Sequence, residues 1–178
     1  MSAAIVNAPL ALHDVAGMDC TAFVAALGGL FEHSPWVAEA AWAKRPFASE
    51  DALHAAMMAA VREVPRVQQI AFLCAHPELA GKEAQAGTMT GHSTHEQTGA
   101  GLDRLSHAEF VELQQLNAAY RERHGFPFVI MALGHTRAQI FEAVRTRTGN
   151  ETPHEIEAAL QQIASITRRR VAARFGNA

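Results

Sequence analysis

Two histidines, a serine, a threonine, a glutamate and a glutamine occupy six consecutive positions, His92 to Gln97, in the stretch GHSTHEQTGAGL. Side chains of these types can ligate a metal, exchange a proton with a substrate, or start a helix. The metal reading draws on His76, His92, His95 and His107, which fall within 32 positions, and on a helix His92 and His95 would share a face. Against it, His95-Glu96 is followed by Gln97, Thr98 and Gly99, so the second histidine of the His-Glu-x-x-His pattern is absent. The capping reading makes Ser93-Thr94-His95-Glu96 a capping box, in which Glu96 reaches back to the Ser93 amide and stabilises the helix start by about 1 kcal/mol. On that reading Ser93 is the cap and His92 lies ahead of the helix. Neither reading accounts for Gln97, Ala100 and Gly101, whose two small residues one turn beyond Gln97 suit the wall of a channel.

His76 is a second candidate for proton chemistry. It follows the apolar run IAFLCA directly, and Pro77 biases it to extended backbone, which holds the ring at the end of a buried helix. A packed or capping histidine is the plain alternative; facing a carboxylate, it becomes a tuned acid or base. Arg170 is the third candidate. In the run TRRRVAAR, a helical rotation of about 100° per residue turns Arg168 and Arg169 away from Ile163, whereas Arg170 lies only ~20° from Ile163 and ~40° from Ile166. An arginine on a core-facing stripe either snorkels outward or meets an anion or a carbonyl.

The elements that must position these groups read as helices. Alanine is abundant, β-branched alternation is scarce, and apolar residues recur at three and four positions, which predicts an all-α, single-domain helical bundle over 1–178 with 1–18 loosely ordered. Ser34-Pro35, Ser49-Glu50-Asp51 and Pro65 mark helix starts. Ser106 with Glu109, Thr136 with Gln139 and Thr152 with Glu155 are predicted capping boxes. Gly125 and Gly149 stand where two runs stop. From Ala75 to Ser93 the pattern fails, and one long active-site loop is predicted there. GFPFVIMALG is the single extended segment expected.

Composition narrows the function. The chain carries 49% hydrophobic and 19% charged residues with a net charge of −3, which gives no electrostatic reason to expect nucleic acid or a membrane as partner. Cys20 and Cys74 are too few for a disulfide scaffold, the N-terminal stretch is a poor secretory signal, and the expected location is cytoplasmic. No glycine-rich phosphate loop, GxSxG elbow or other cofactor motif is present.

Five stretches in order resemble a known family: FEHSPWV (Phe31 to Val37), AHPELAGK (Ala75 to Lys82), STHEQTGAGLDRL (Ser93 to Leu105), LNAAYRERHGFPFVI (Leu116 to Ile130) and the last helix around Arg170-Val171. The order and spacing are similar to those of the 2-oxo-4-hydroxy-4-carboxy-5-ureidoimidazoline (OHCU) decarboxylases of urate degradation, from about Cys20 to Phe175. The resemblance implies a cofactor-free, all-helical enzyme that converts OHCU into (S)-allantoin and carbon dioxide, after urate oxidase and 5-hydroxyisourate hydrolase. It implies His76 and Glu96 as the catalytic pair. Pro77, Ser93, Gln97, Arg170 and the backbone of Phe128, Val129 and Ile130 are then substrate contacts, with no metal and with a homodimer as the assembly. Two positions depart from the family pattern: Met131-Ala132-Leu133 stands where relatives place a basic residue before the glycine, and Arg170-Val171 replaces Arg-Leu. A helical metal-dependent hydrolase using His76, His92, His95 and Glu96, and a non-catalytic binding module on the same fold, are the competing readings.

Overall fold

Marked caps and amphipathic runs leave most of this backbone one way to satisfy its amides. The computed structural model describes residues 9–177, with ten α-helices and two 3-10 turns among them and no strand. The all-helical expectation is thereby met. The described residues form two compact units, one made of residues 9–64 together with 166–177, the other of Pro65–Ser165.

The first unit contains α1 (Leu12–Gly17), α2 (Cys20–Leu27), a 3-10 turn (Gly28–Leu30), α3 (Trp36–Trp42), α4 (Glu50–Glu63) and the last turns of α10 (Thr152–Arg174). Ser49 caps α4 by accepting from the Ala52 amide at 3.0 Å. Leu53, Met57 and Val61, four residues apart, are fully buried, and each such burial contributes about 1.5–3 kcal/mol. Pro35, with no side-chain cap, stands at the start of α3, so Ser34 does not serve as the capping hydroxyl. Where loose order is expected, Leu12–Gly17 is helical and the Leu10 amide donates to the Arg174 carbonyl at 2.9 Å. The part of that expectation on residues 1–8 lies outside the described residues.

The second unit contains α5 (Arg66–Cys74), α6 (Lys82–Ala86), α7 (Gly91–Gly99), a 3-10 turn (Leu102–Arg104), α8 (His107–His124), α9 (Arg137–Thr148) and the first part of α10. Both capping boxes predicted at Ser106 and Thr136 are present. Leu113, Tyr120, Ile140 and Val144 are fully buried where α8 packs on α9. Gly125, at φ +83°, ends α8 in the left-handed conformation that glycine adopts without strain. Beyond it, 126–132 is neither helix nor strand, and the rings of Phe126 and Phe128 meet Tyr120 edge-on at 5.8 and 5.1 Å.

Three local expectations are corrected. The predicted loop between Ala75 and Ser93 is interrupted by α6, closed by Gly87 at φ +66°. Thr90, not Ser93, caps α7: its hydroxyl accepts from the Ser93 amide at 3.3 Å, which puts Ser93 inside the helix. Thr152 is the first residue of α10 rather than the residue ahead of it, its hydroxyl lies 3.0 Å from His124 Nδ1, and the fully buried Glu155 accepts from Tyr120, Arg147 and Asn150.

Candidate active site

Starting α7 at Gly91 changes what its side chains face. Measured from Ser93 at about 100° per residue, Glu96 lies ~60° to one side, Gln97 ~40° to the other and Ala100 ~20° away. These four are buried or half-buried, whereas His92, Thr94, His95, Thr98 and Gly99 are exposed. One narrow arc of α7 therefore collects the serine, the carboxylate and the amide. His95 is turned to solvent, as is His107 at the start of α8. Among the described residues no three side chains of His, Cys, Asp or Glu gather as a metal site would need.

His76 follows α5 by two residues and is half-buried. Its Nδ1 lies 3.1 Å from the Phe72 carbonyl oxygen, one turn back, and its ring meets Phe72 edge-on at 5.3 Å. A carbonyl only accepts, so Nδ1 carries the proton and Nε2 is the basic nitrogen of the neutral ring. The local backbone thus sets the tautomer that a proton acceptor needs.

The segment after His76-Pro77 is held by side chains from α7 and α8. Gln97 is 7% exposed; its Oε1 accepts from the Ala80 amide at 2.8 Å and its Nε2 donates to the Glu78 carbonyl at 3.3 Å. From α8, Gln114 donates to the Ala80 carbonyl at 3.1 Å, Asn117 to the Leu79 carbonyl at 2.9 Å, and Arg121 to the Glu78 carboxylate at 2.7 Å. Ala80 sits at φ +48°, uncommon for a residue with a Cβ, and these bonds over-determine it. Sequence reading missed Gln114, Asn117 and Arg121. Their spacing of three and four along one face of α8, with Asn117 set in its buried stripe, is the signal that marks them.

The Phe128 to Ile130 stretch is buried, at 1%, 5% and 8% exposure. It continues to Leu133, which touches α7: a Cβ built on Gly99 would lie 2.5 Å from the Leu133 Cδ2. Helix α7 is thus the member on which the His76 loop and the 128–133 segment both rest. Pro77 is half-buried beside His76.

Arg170, in the other unit, is 5% exposed, as its helical phase predicts. Its Nη1 donates to the Leu30 carbonyl and to the Glu32 carboxylate, each at 3.2 Å. Of the two fates open to an inward arginine, it takes the second, meeting both an anion and a carbonyl. Glu32, 1% exposed, was not singled out by the sequence reading, although it lies in the FEHSPWV stretch.

Comparison with known proteins places the chain in a family. The model of the family described as OHCU decarboxylase matches residues 16–172. The chain is 40% identical over 168 residues to the 2-oxo-4-hydroxy-4-carboxy-5-ureidoimidazoline decarboxylase of Haloferax volcanii, covering 94% of this chain and 98% of that one. A crystal structure of (S)-allantoin synthase superposes with a TM-score of 0.72 at 27% identity, covering 93% of this chain and 54% of that chain. A crystal structure of an OHCU decarboxylase in the presence of (S)-allantoin gives 0.64 at 26% identity, covering 79% and 91%. A family match over most of the chain and a relative of this identity and coverage make it a decarboxylase. The chain belongs to the OHCU decarboxylase family.

Proposed function

We propose that this protein decarboxylates OHCU to (S)-allantoin and carbon dioxide, with His76 and Glu96 as the catalytic pair. The observation that carries the assignment of residues is the arc of α7: Ser93, Glu96 and Gln97 share its covered side, and Gln97 grips the chain that follows His76.

The substrate supplies its own electron sink. When the bond from ring carbon 4 to the carboxylate breaks, its electron pair forms a carbon 4–carbon 5 double bond, and the carbon–nitrogen π pair at carbon 5 moves onto nitrogen, which takes a proton. Protonation of carbon 5 on one face, with loss of the hydroxyl proton from the oxygen on carbon 4, gives the ketone form that is (S)-allantoin. His76, through Nε2, exchanges the proton of that hydroxyl, and Glu96 orients the hydroxyl or shares the proton. What remains for the protein is to hold the carboxylate out of the ring plane and stabilise the charge that develops.

Ser93, Gln97 and Arg170 bind the ureido and ring carbonyl groups. Gln97 does so with the second N–H and second lone pair that its bonds to Glu78 and Ala80 leave over. Pro77 and the backbone of Phe128, Val129 and Ile130 complete the cage. The resemblance further implies a homodimer and supply of substrate by urate oxidase and 5-hydroxyisourate hydrolase, and the free Cys20 and Cys74 fit a cytoplasmic setting. No described helix is long and apolar enough to cross a membrane.

The test generates OHCU in situ from urate with those two enzymes and follows circular dichroism of the product, with and without this protein and with a chelator. Rapid growth of the (S)-allantoin signal is expected, chelator or not. A trace that matches slow decay to racemic product overturns the assignment, and chelator sensitivity overturns the metal-free mechanism.

A further inference from the structure

Outside helices and sheets, each buried peptide group needs its own partner. In the 126–132 segment two such partners are visible. The Val129 carbonyl accepts from Arg147 Nη1 at 3.0 Å, and the Met131 amide donates to Gln162 Oε1 at 2.9 Å. Val129 C=O and Ile130 N–H belong to one planar trans peptide and point opposite ways. Pinning the oxygen therefore aims the Ile130 amide. Likewise the bond at Met131 fixes the peptide plane that carries the Ile130 carbonyl.

Arg147 is itself held on three sides. Its Nε and Nη2 lie 3.0 and 2.9 Å from Glu155 Oε2, and its Cζ stands 4.5 Å over the Phe128 ring. Glu155, with no exposed surface, also accepts from the Tyr120 hydroxyl at 2.5 Å and from Asn150 Nδ2 at 2.7 Å. One guanidinium thus donates through Nε to the carboxylate, with Nη2 beside the same oxygen in ion-pair contact only, donates through Nη1 to the Val129 oxygen, and lays its flat face on an aromatic ring. A lysine ammonium has neither the fork nor the plane to do this.

We propose that Arg147, held by Glu155, is a positioning residue that aims the Ile130 amide at the substrate. This rests on the reading above, in which the Phe128 to Ile130 backbone contacts OHCU. The residue touches no reacting atom, so its loss acts on substrate binding more than on the chemical step.

The test compares Arg147→Lys with the unaltered protein by steady-state kinetics on OHCU and by hydrogen exchange of the Ile130 amide. Expected are a KM raised about five-fold or more, a kcat within about two-fold, and faster exchange at Ile130. Unchanged KM and exchange overturn the proposal. So does a fall in kcat at constant KM, which a smaller folded fraction alone would give. Should Arg147→Lys not fold, Glu155→Gln, which leaves the guanidinium a neutral partner, is read by the same measures. If the unaltered protein does not turn over OHCU, the functional reading fails, and the exchange comparison still decides whether Arg147 holds the amide.

Discussion

Gln97 accepts a hydrogen bond from the amide of Ala80 at 2.8 Å, which ties the residue after Glu96 to the chain four positions after His76. The two proposed catalytic groups are thereby referred to one side chain. Gln97→Leu leaves the Ala80 amide and the Glu78 carbonyl without this partner, at a cost of about 1–3 kcal/mol. A melting temperature lowered by several degrees and a turnover reduced about ten-fold are expected, since small misplacements of a catalytic group are expensive. Gln97→Glu keeps the acceptor and loses the donor, and falls between the two. Full activity in Gln97→Leu would refute the tether.

His76→Ala and Glu96→Ala each remove a half-buried side chain. Both should melt within a few degrees of the unaltered protein and lose on the order of 10²-fold or more in turnover. Near-normal turnover in His76→Ala would remove the histidine from the mechanism.

Glu155 gives the fold a pH dependence. Burial pushes its carboxyl up, but hydrogen bonds from Arg147, Tyr120 and Asn150, with the charge of Arg147, outweigh this and hold it below its ordinary 4.5. The same contact works oppositely on Tyr120, whose phenol is pushed well above its usual value by burial and by the bond to Glu155. A carboxyl lowered on folding contributes stability that is present above its unfolded value and lost as pH falls through the folded one. Urea midpoints should therefore decline below about pH 4.5, and Glu155→Gln should flatten that decline. An equally steep decline in Glu155→Gln would assign it to other carboxylates.

Arg170 pairs with Glu32 and is proposed to hold substrate, two roles that a single substitution confuses. Arg170→Ala removes the guanidinium that faces the Glu32 carboxylate, 1% exposed, at 3.2 Å, and breaking a buried pair costs about 3–5 kcal/mol. Made on a Glu32→Gln background, the same change avoids most of that penalty. Against Glu32→Gln alone, KM for OHCU should rise about ten-fold if Arg170 holds substrate. An unchanged KM would leave the pair as a structural one.

What the sequence disclosed follows the range of the interactions. Ser49, Ser106 and Thr136 were legible because a cap is a bond between residues three apart, and Arg170 because helical phase is local arithmetic. Thr90 escaped notice since Ser93, three residues on, offers a hydroxyl with a glutamate at the capping-box distance, and the local rule cannot rank the two. Glu155 fits the same rule behind Thr152, yet its partners include Tyr120, 35 residues away. No pattern within a single helix reports that contact. For the candidate site, His76, Ser93, Glu96 and Gln97 were marked by residue type and by resemblance, while the grip of Gln114, Asn117 and Arg121 on the 78–80 loop depends on α8 lying against it.

That loop, bent through Ala80 at φ +48° and fastened at Glu78, Leu79 and Ala80, also bears on how tightly a small ligand can be held. Fixing backbone costs roughly 1–2 kcal/mol of conformational entropy per residue. Here that loss is incurred when the chain folds, before any ligand arrives. A compact, polar heterocycle offers few contacts with which to offset the ordering of a loop, and this scaffold does not ask it to.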